Sequence, residues 1–94
     1  FETKFQHDEE QKFKVLARRD RVFGLWVAKQ LGRGDAEAYA AEVVAANFEK
    51  SGDEDMLGKV RADLKAAGKQ VTEGTLQAEL TAAYAEAAKQ IAAK

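Results

Sequence analysis

The chain contains no cysteine and no proline, a single histidine and a single serine. Without cysteine there are no disulfides and no thiolate metal sites. With one histidine and one serine, no nucleophile–base pair can be assembled, and no glycine loop has the spacing that cradles phosphate. Charge of one sign is not in excess either: 15 basic residues stand against 16 acidic ones. That balance argues against a nucleic-acid binder, which shows a basic surplus. No apolar run approaches the roughly 20 residues that span a bilayer, and no signal-peptide pattern opens the chain. These absences point to a soluble cytoplasmic protein that is not an enzyme and carries no cofactor, with neither catalytic nor metal-ligating residues.

What is present is helical. The 94 residues suit one small domain. Such a chain buries only about 60% of the surface its unfolded form exposes, so its stability is modest. Apolar residues recur at three- and four-residue steps rather than alternating, the spacing of amphipathic helices. Glycines fall where helices would stop, at Gly32, Gly34, Gly52 and Gly68. The pattern predicts four helices and no sheet. The first runs from about Glu2 to Leu31. Asp35 and Glu37 open the second, which carries Tyr39, Val43, Val44 and Phe48. The third begins at Ser51–Glu54, a capping-box spacing in which Asp53 is the alternative cap, and presents Leu57, Val60 and Leu64. Thr72 caps the fourth, whose stripe is Leu76, Leu80, Tyr84, Ala87 and Ile91.

The first helix is the unusual one. Its stripe includes Phe13, Leu16, Phe23 and Val27, but Gln6 to Lys12 contains no apolar side chain, although Phe1 and Phe5 precede it. Aligned with its neighbours, about its first twelve residues, roughly 18 Å, overhang the rest. The expected architecture is therefore all-α: a four-helix bundle, residues 14–94, with residues 1–13 of a long first helix projecting as an N-terminal arm that keeps its phenylalanines for another protein. Residues before about Lys12 are expected to be mobile when the protein is alone. Asp8 and Lys12, like Glu10 and Lys14, are acid-before-base pairs at four-residue spacing, each adding a few tenths of a kcal/mol to helix. Ordering ten coil residues costs on the order of 10–20 kcal/mol, whereas burying Phe1 and Phe5 returns about 3–6 kcal/mol. Docking through those anchors therefore requires helical preorganisation or further contacts.

The polar groups of this helix admit bland and specific readings. Asp8, Glu9 and Glu10 point around the helix rather than converging, which suits a solvated face better than an acid–base site. His7 is the one side chain of a type whose unperturbed pKa lies near neutrality, but an ordinary exposed histidine is the preferred reading over a pH sensor. Arg18, Arg19 and Arg21, with Lys14, form the densest basic patch and could clamp a phosphate or carboxylate. The preferred alternative is that they edge the bundle seam and pair with acidic neighbours. Trp26 reads as core, and Gly24 as a place where another helix approaches closely.

Lys4-Phe5-Gln6-His7-Asp8-Glu9-Glu10, continuing through Phe13-Lys14, Ala17-Arg18-Arg19 and Gly24-Leu25-Trp26, resembles the zeta-subunit family, small inhibitors of the F-type ATP synthase of alpha-proteobacteria. The likeness continues through Glu42-Val43-Val44, Gly52-Asp53-Glu54-Asp55 and Val71-Thr72-Glu73. It implies a four-helix protein at the cytoplasmic face of the inner membrane. Its N-terminal region would enter the cleft between an alpha and a beta subunit, approach the rotor gamma subunit and block ATP hydrolysis. On this chain Phe1, Glu2, Lys4 and Phe5 would insert. The stretch containing His7, Asp8, Glu9 and Lys12 would follow, and Lys14, Arg18 and Arg19 would line the mouth. The resemblance also implies a charged leader upstream of Phe1, and the family often has Asn where Asp20 stands here. Two rival readings are a small module binding a nucleotide or another anion near Lys14, Arg18 and Arg19, and an amphipathic arm for membrane surfaces. The all-polar interval disfavours the second.

Overall fold

A computed structural model describes residues 2–49 and 53–92, with side chains described over 12–47 and 53–92. Among the described residues there are four helices and no strand: α1 (Glu2–Leu31), α2 (Ala36–Glu49), α3 (Glu54–Ala66) and α4 (Glu73–Ala92). Phe1 and Ser51 lie outside the described residues.

The helix ends follow from local chemistry. Gly32 and Gly68 take φ of 73° and 74°, which a side chain would strain. Each lets the chain double back and satisfy the last carbonyls of its helix. The Gly32 and Arg33 amides donate to Lys29 and Ala28, and those of Gly68 and Lys69 donate to Lys65 and Leu64. This is the paired bonding of a Schellman end. At the start of α4 the Thr75 amide donates to Thr72 Oγ1 at 3.1 Å, the expected cap. Asp53 precedes α3 but makes no side-chain cap bond, because its carboxylate is engaged elsewhere.

α1 packs against α2, α3 and α4, and α3 also packs on α2. The Gly24–Ala40 and Asp20–Asn47 approaches show that α1 and α2 run antiparallel. One apolar core results, built from Phe23, Val27 and Ala28 of α1, Tyr39 and Val43 of α2, Met56, Leu57, Val60 and Leu64 of α3, and Leu76, Leu80 and Ala83 of α4. Each fully buried large side chain contributes about 1.5–3 kcal/mol. Trp26 stacks on Phe23 with ring centroids 6.1 Å apart and packs at the margin of the core.

Two stripe positions of the bundle differ from expectation: Leu16 is 40% exposed and Tyr84 46%, while Phe13, assigned to the arm, is 60% exposed. In α4 a strict four-residue spacing drifts by about 40° per step around a helix of 3.6 residues per turn. By Tyr84 the stripe has left the core, and Ala83 takes its place. The Val44 side chain is half-buried, and that of Phe48 lies outside the described residues.

Candidate functional site

Phe13, Lys14, Ala17, Arg18 and Arg21 recur at helical spacing and therefore share one side of α1. Val44 of α2 and Ile91 in the last turn of α4 flank them, and together they line an open groove of about 600 Å³. Arg21 is held at one edge by two hydrogen bonds to Glu37, 2.8 and 2.7 Å long. Lys14 and Arg18 make no side-chain ion pair or hydrogen bond with another described residue. Lys12 is exposed one turn before Leu16. The groove thus combines an apolar floor with two cations that no described side chain pairs, an arrangement suited to an anionic or acidic amphipathic partner.

Arg19, expected beside Arg18 at the mouth of a partner cleft, is placed differently. It lies on the helical face of Phe23 and Val27, one and two turns ahead, and points inward. It is 7% exposed and its neighbour Asp20 only 1%. The guanidinium donates to Asp20 Oδ1 at 3.0 and 2.8 Å, and to Asp53 at 2.7 and 3.3 Å. Asn47 donates to Asp20 Oδ2 at 2.7 Å and to Asp53 Oδ1 at 3.1 Å. Burial works against the Arg19 charge, yet the bonds to Asp53 and Asp20 outweigh it and raise its pKa. Burial raises the Asp20 pKa, against the bonds from Asn47 and Arg19 and with added repulsion from Asp53. Burial acts on Asp53 in the same direction but loses to Arg19, leaving its pKa lowered. The burial of Asp20 was the least anticipated feature of this helix. Extending the Phe23–Val27 stripe backward by three and four residues would have found both members of the pair.

A second polar group ties α2 to α3. The Tyr39 hydroxyl donates to Asp63 at 2.8 Å and Lys59 donates to the same carboxylate at 3.0 Å. The Arg33 and Lys59 cations lie 4.9 and 5.1 Å from the Tyr39 ring centre. Arg61 pairs with Glu73 between α3 and α4. These contacts are structural ties between helices.

Of the other expected site residues, Phe1 lies outside the described residues. Glu2, Lys4, Phe5, His7, Asp8 and Glu9 belong to the first turns of α1, and their side chains are likewise outside them. Among the described residues no cluster of histidine, cysteine or carboxylate side chains could hold a metal ion. No helix there is long and apolar enough to cross a membrane.

Comparison with known proteins gives one family. The family model described as ATPase inhibitor subunit zeta matches residues 1–90. No curated protein matches the chain.

Proposed function

The chain belongs to the ATPase inhibitor subunit zeta family, and from that membership we propose that it inhibits ATP hydrolysis by the F-type ATP synthase, acting sterically and without chemistry of its own. The N-terminal half of α1 is the inhibitory element. It wedges between an alpha and a beta subunit of the catalytic head, reaches toward the rotor gamma subunit and blocks rotation in the hydrolytic direction. Phe1, Glu2, Lys4 and Phe5 insert. His7, Asp8, Glu9 and Lys12 follow them into the cleft. Lys14 and Arg18 face its mouth, while Arg19 serves from within the protein.

One observation carries this reading beyond the family name. α1 is a single helix of 30 residues, yet its side chains from Lys12 to Arg18 include none that is buried, and its apolar contribution to the core begins at Val22 and Phe23. The part ahead of Arg19 measures about 25 Å at 1.5 Å per residue. A helix that continues past the core supports the reading, because the entropy of ordering disfavours an inserting element that begins as coil.

The test is inhibition of ATP hydrolysis by an isolated alpha-proteobacterial catalytic head. The chain should inhibit, and Phe5→Ala should weaken inhibition roughly 10- to 100-fold, the equivalent of one buried phenylalanine. Undiminished inhibition by Phe5→Ala would remove that residue as an anchor, and no inhibition by the parent chain would remove the reading.

A second reading, binding of a nucleotide or another anion, is favoured by Lys14 and Arg18 beside the apolar groove. Titration with ATP followed by amide shifts decides it. Shifts centred on the groove support binding, and an unchanged spectrum disposes of it.

A further inference from the structure

The described side chains of α1 change character at one place. Those from Lys12 to Arg18 are exposed or half-exposed, and the apolar core takes up the helix from Phe23. Between the two stands a charged pair, Arg19 and Asp20, more deeply buried than any other charged residue described. Asn47 near the end of α2 and Asp53 at the start of α3 complete the cluster. Three separate stretches of chain therefore meet where α1 passes from its core-facing half to the half whose described side chains only edge the groove beside Val44 and Ile91.

A buried ion pair is a weak source of stability, because desolvation offsets much of the attraction, and apolar replacements are often as stable or more so. Its distinctive property is direction. An apolar contact tolerates a small roll or slide of one helix on another. A planar guanidinium held by two carboxylates, with an amide bridging them, fixes both the roll and the register. The lever is long. Tilting about 25 Å of helix by about 10° displaces its tip by roughly 4 Å. Binding constellations need their elements held within about 10–20° of the productive geometry.

We propose that the Arg19–Asp20–Asn47–Asp53 cluster is the joint that sets the direction in which the N-terminal half of α1 leaves the helical body, with Asp20 as its principal positioning residue. The proposal rests on the reading of that half as the inhibitory element. Arg19 donates to both carboxylates, and Asp20 also accepts from Asn47. Asp53 forgoes the capping of α3 to take part. The same phase that turns Arg19 inward turns Lys14, Arg18 and Arg21 toward the groove.

The absence of native cysteine permits a direct test. Spin labels at Lys12→Cys and Lys65→Cys, both exposed positions, report the direction of α1 relative to α3. The parent should give one narrow distance distribution. The double variant Arg19→Met/Asp20→Leu replaces the charges by apolar groups. It should melt no lower than the parent, while its distribution broadens or shifts and inhibition of ATP hydrolysis weakens at least tenfold. Asp53→Asn removes one carboxylate at a half-exposed site and should broaden the distribution to a lesser degree. It decides the matter alone if the double variant fails to fold. A distribution unchanged in either folded variant overturns the proposal. So does a broadened distribution with undiminished inhibition, and so does a loss of inhibition that only tracks a loss of melting temperature. If the parent itself does not inhibit, the functional reading fails, and the distance measurement still decides whether the joint exists.

Discussion

A β-carbon placed on Gly24 of α1 would lie 2.8 Å from the Ala40 Cα of α2, and 3.2 Å from the Val43 Cβ. The two backbones touch there, so the contact cannot be relieved by a side-chain rotation. Gly24→Ala gains about 1 kcal/mol of helix propensity but forces the helices apart, which costs about 1–3 kcal/mol. The net effect should be destabilising. Gly58, in the middle of α3, has nothing within 4 Å of the same position. There the propensity term acts alone, and Gly58→Ala should stabilise by about 0.5–1 kcal/mol. Urea unfolding of the two variants should give shifts of opposite sign.

Asp20 gives an unusual dependence on pH. Its pKa in the folded protein is raised above the ordinary 3.8, so the folded state holds that proton more tightly than the unfolded chain does. Its contribution therefore becomes more favourable as pH falls through the raised value toward about 4. Asp53 and Asp63 are shifted the other way. Their stabilisation is present above the ordinary carboxylate value and is lost on further acidification. The groups facing Asp20 are Arg19, Asn47 and Asp53. Asp20→Asn imitates the neutral form at every pH. Its stability relative to the parent should be greatest near neutrality and decline as the solution is acidified toward pH about 4. Unfolding curves across that range check the slope, and a flat difference would contradict the assignment.

Tyr39 is fully buried, with its hydroxyl on Asp63. Burial first, and then the neighbouring carboxylate, push its pKa far above that of an ordinary tyrosine. Absorbance titration in alkali should show this ring ionising only as the chain unfolds. Tyr39→Phe keeps the ring between Arg33 and Lys59 and leaves Asp63 paired with Lys59. It should cost about 1 kcal/mol, the worth of one hydrogen bond. Tyr39→Leu should cost more, since it also removes the ring from both cations.

Arg18 tests the charge of the groove. In the inhibition assay Arg18→Glu should raise the concentration needed by about tenfold at low ionic strength. The gap should narrow as salt rises, because exposed charges are screened within about 10 Å at 0.1 M. A salt-independent loss would indicate damage to packing instead.

Much of the fold could be read directly. Gly32 and Gly68 end helices where the left-handed geometry is required, and Thr72 caps α4. Leu57, Val60 and Leu64 face inward as their spacing implies. These features depend on near neighbours in the chain, which is why they are visible in it. Features that depend on distant partners were not. Asp53 has the chemistry of a cap but serves Arg19, 34 residues away. Arg19 and Arg18 are the same residue type side by side, and only the helical phase set by Phe23 separates the buried one from the exposed one. Of the candidate site, Lys14 and Arg18 were legible as a basic patch. Val44 and Ile91, which wall the groove, reach it only through tertiary packing.

α1 leans against each of the other three helices, and this restricts how the chain can change over generations. A substitution in its second half must suit several neighbours simultaneously, so few will be tolerated there. The outward side of α4, including Gln77, Ala78, Thr81, Ala82 and Ala85, answers to water alone. Mutational scanning should find drift concentrated on that outer side, while the central rod stays nearly frozen even at positions that never touch another molecule.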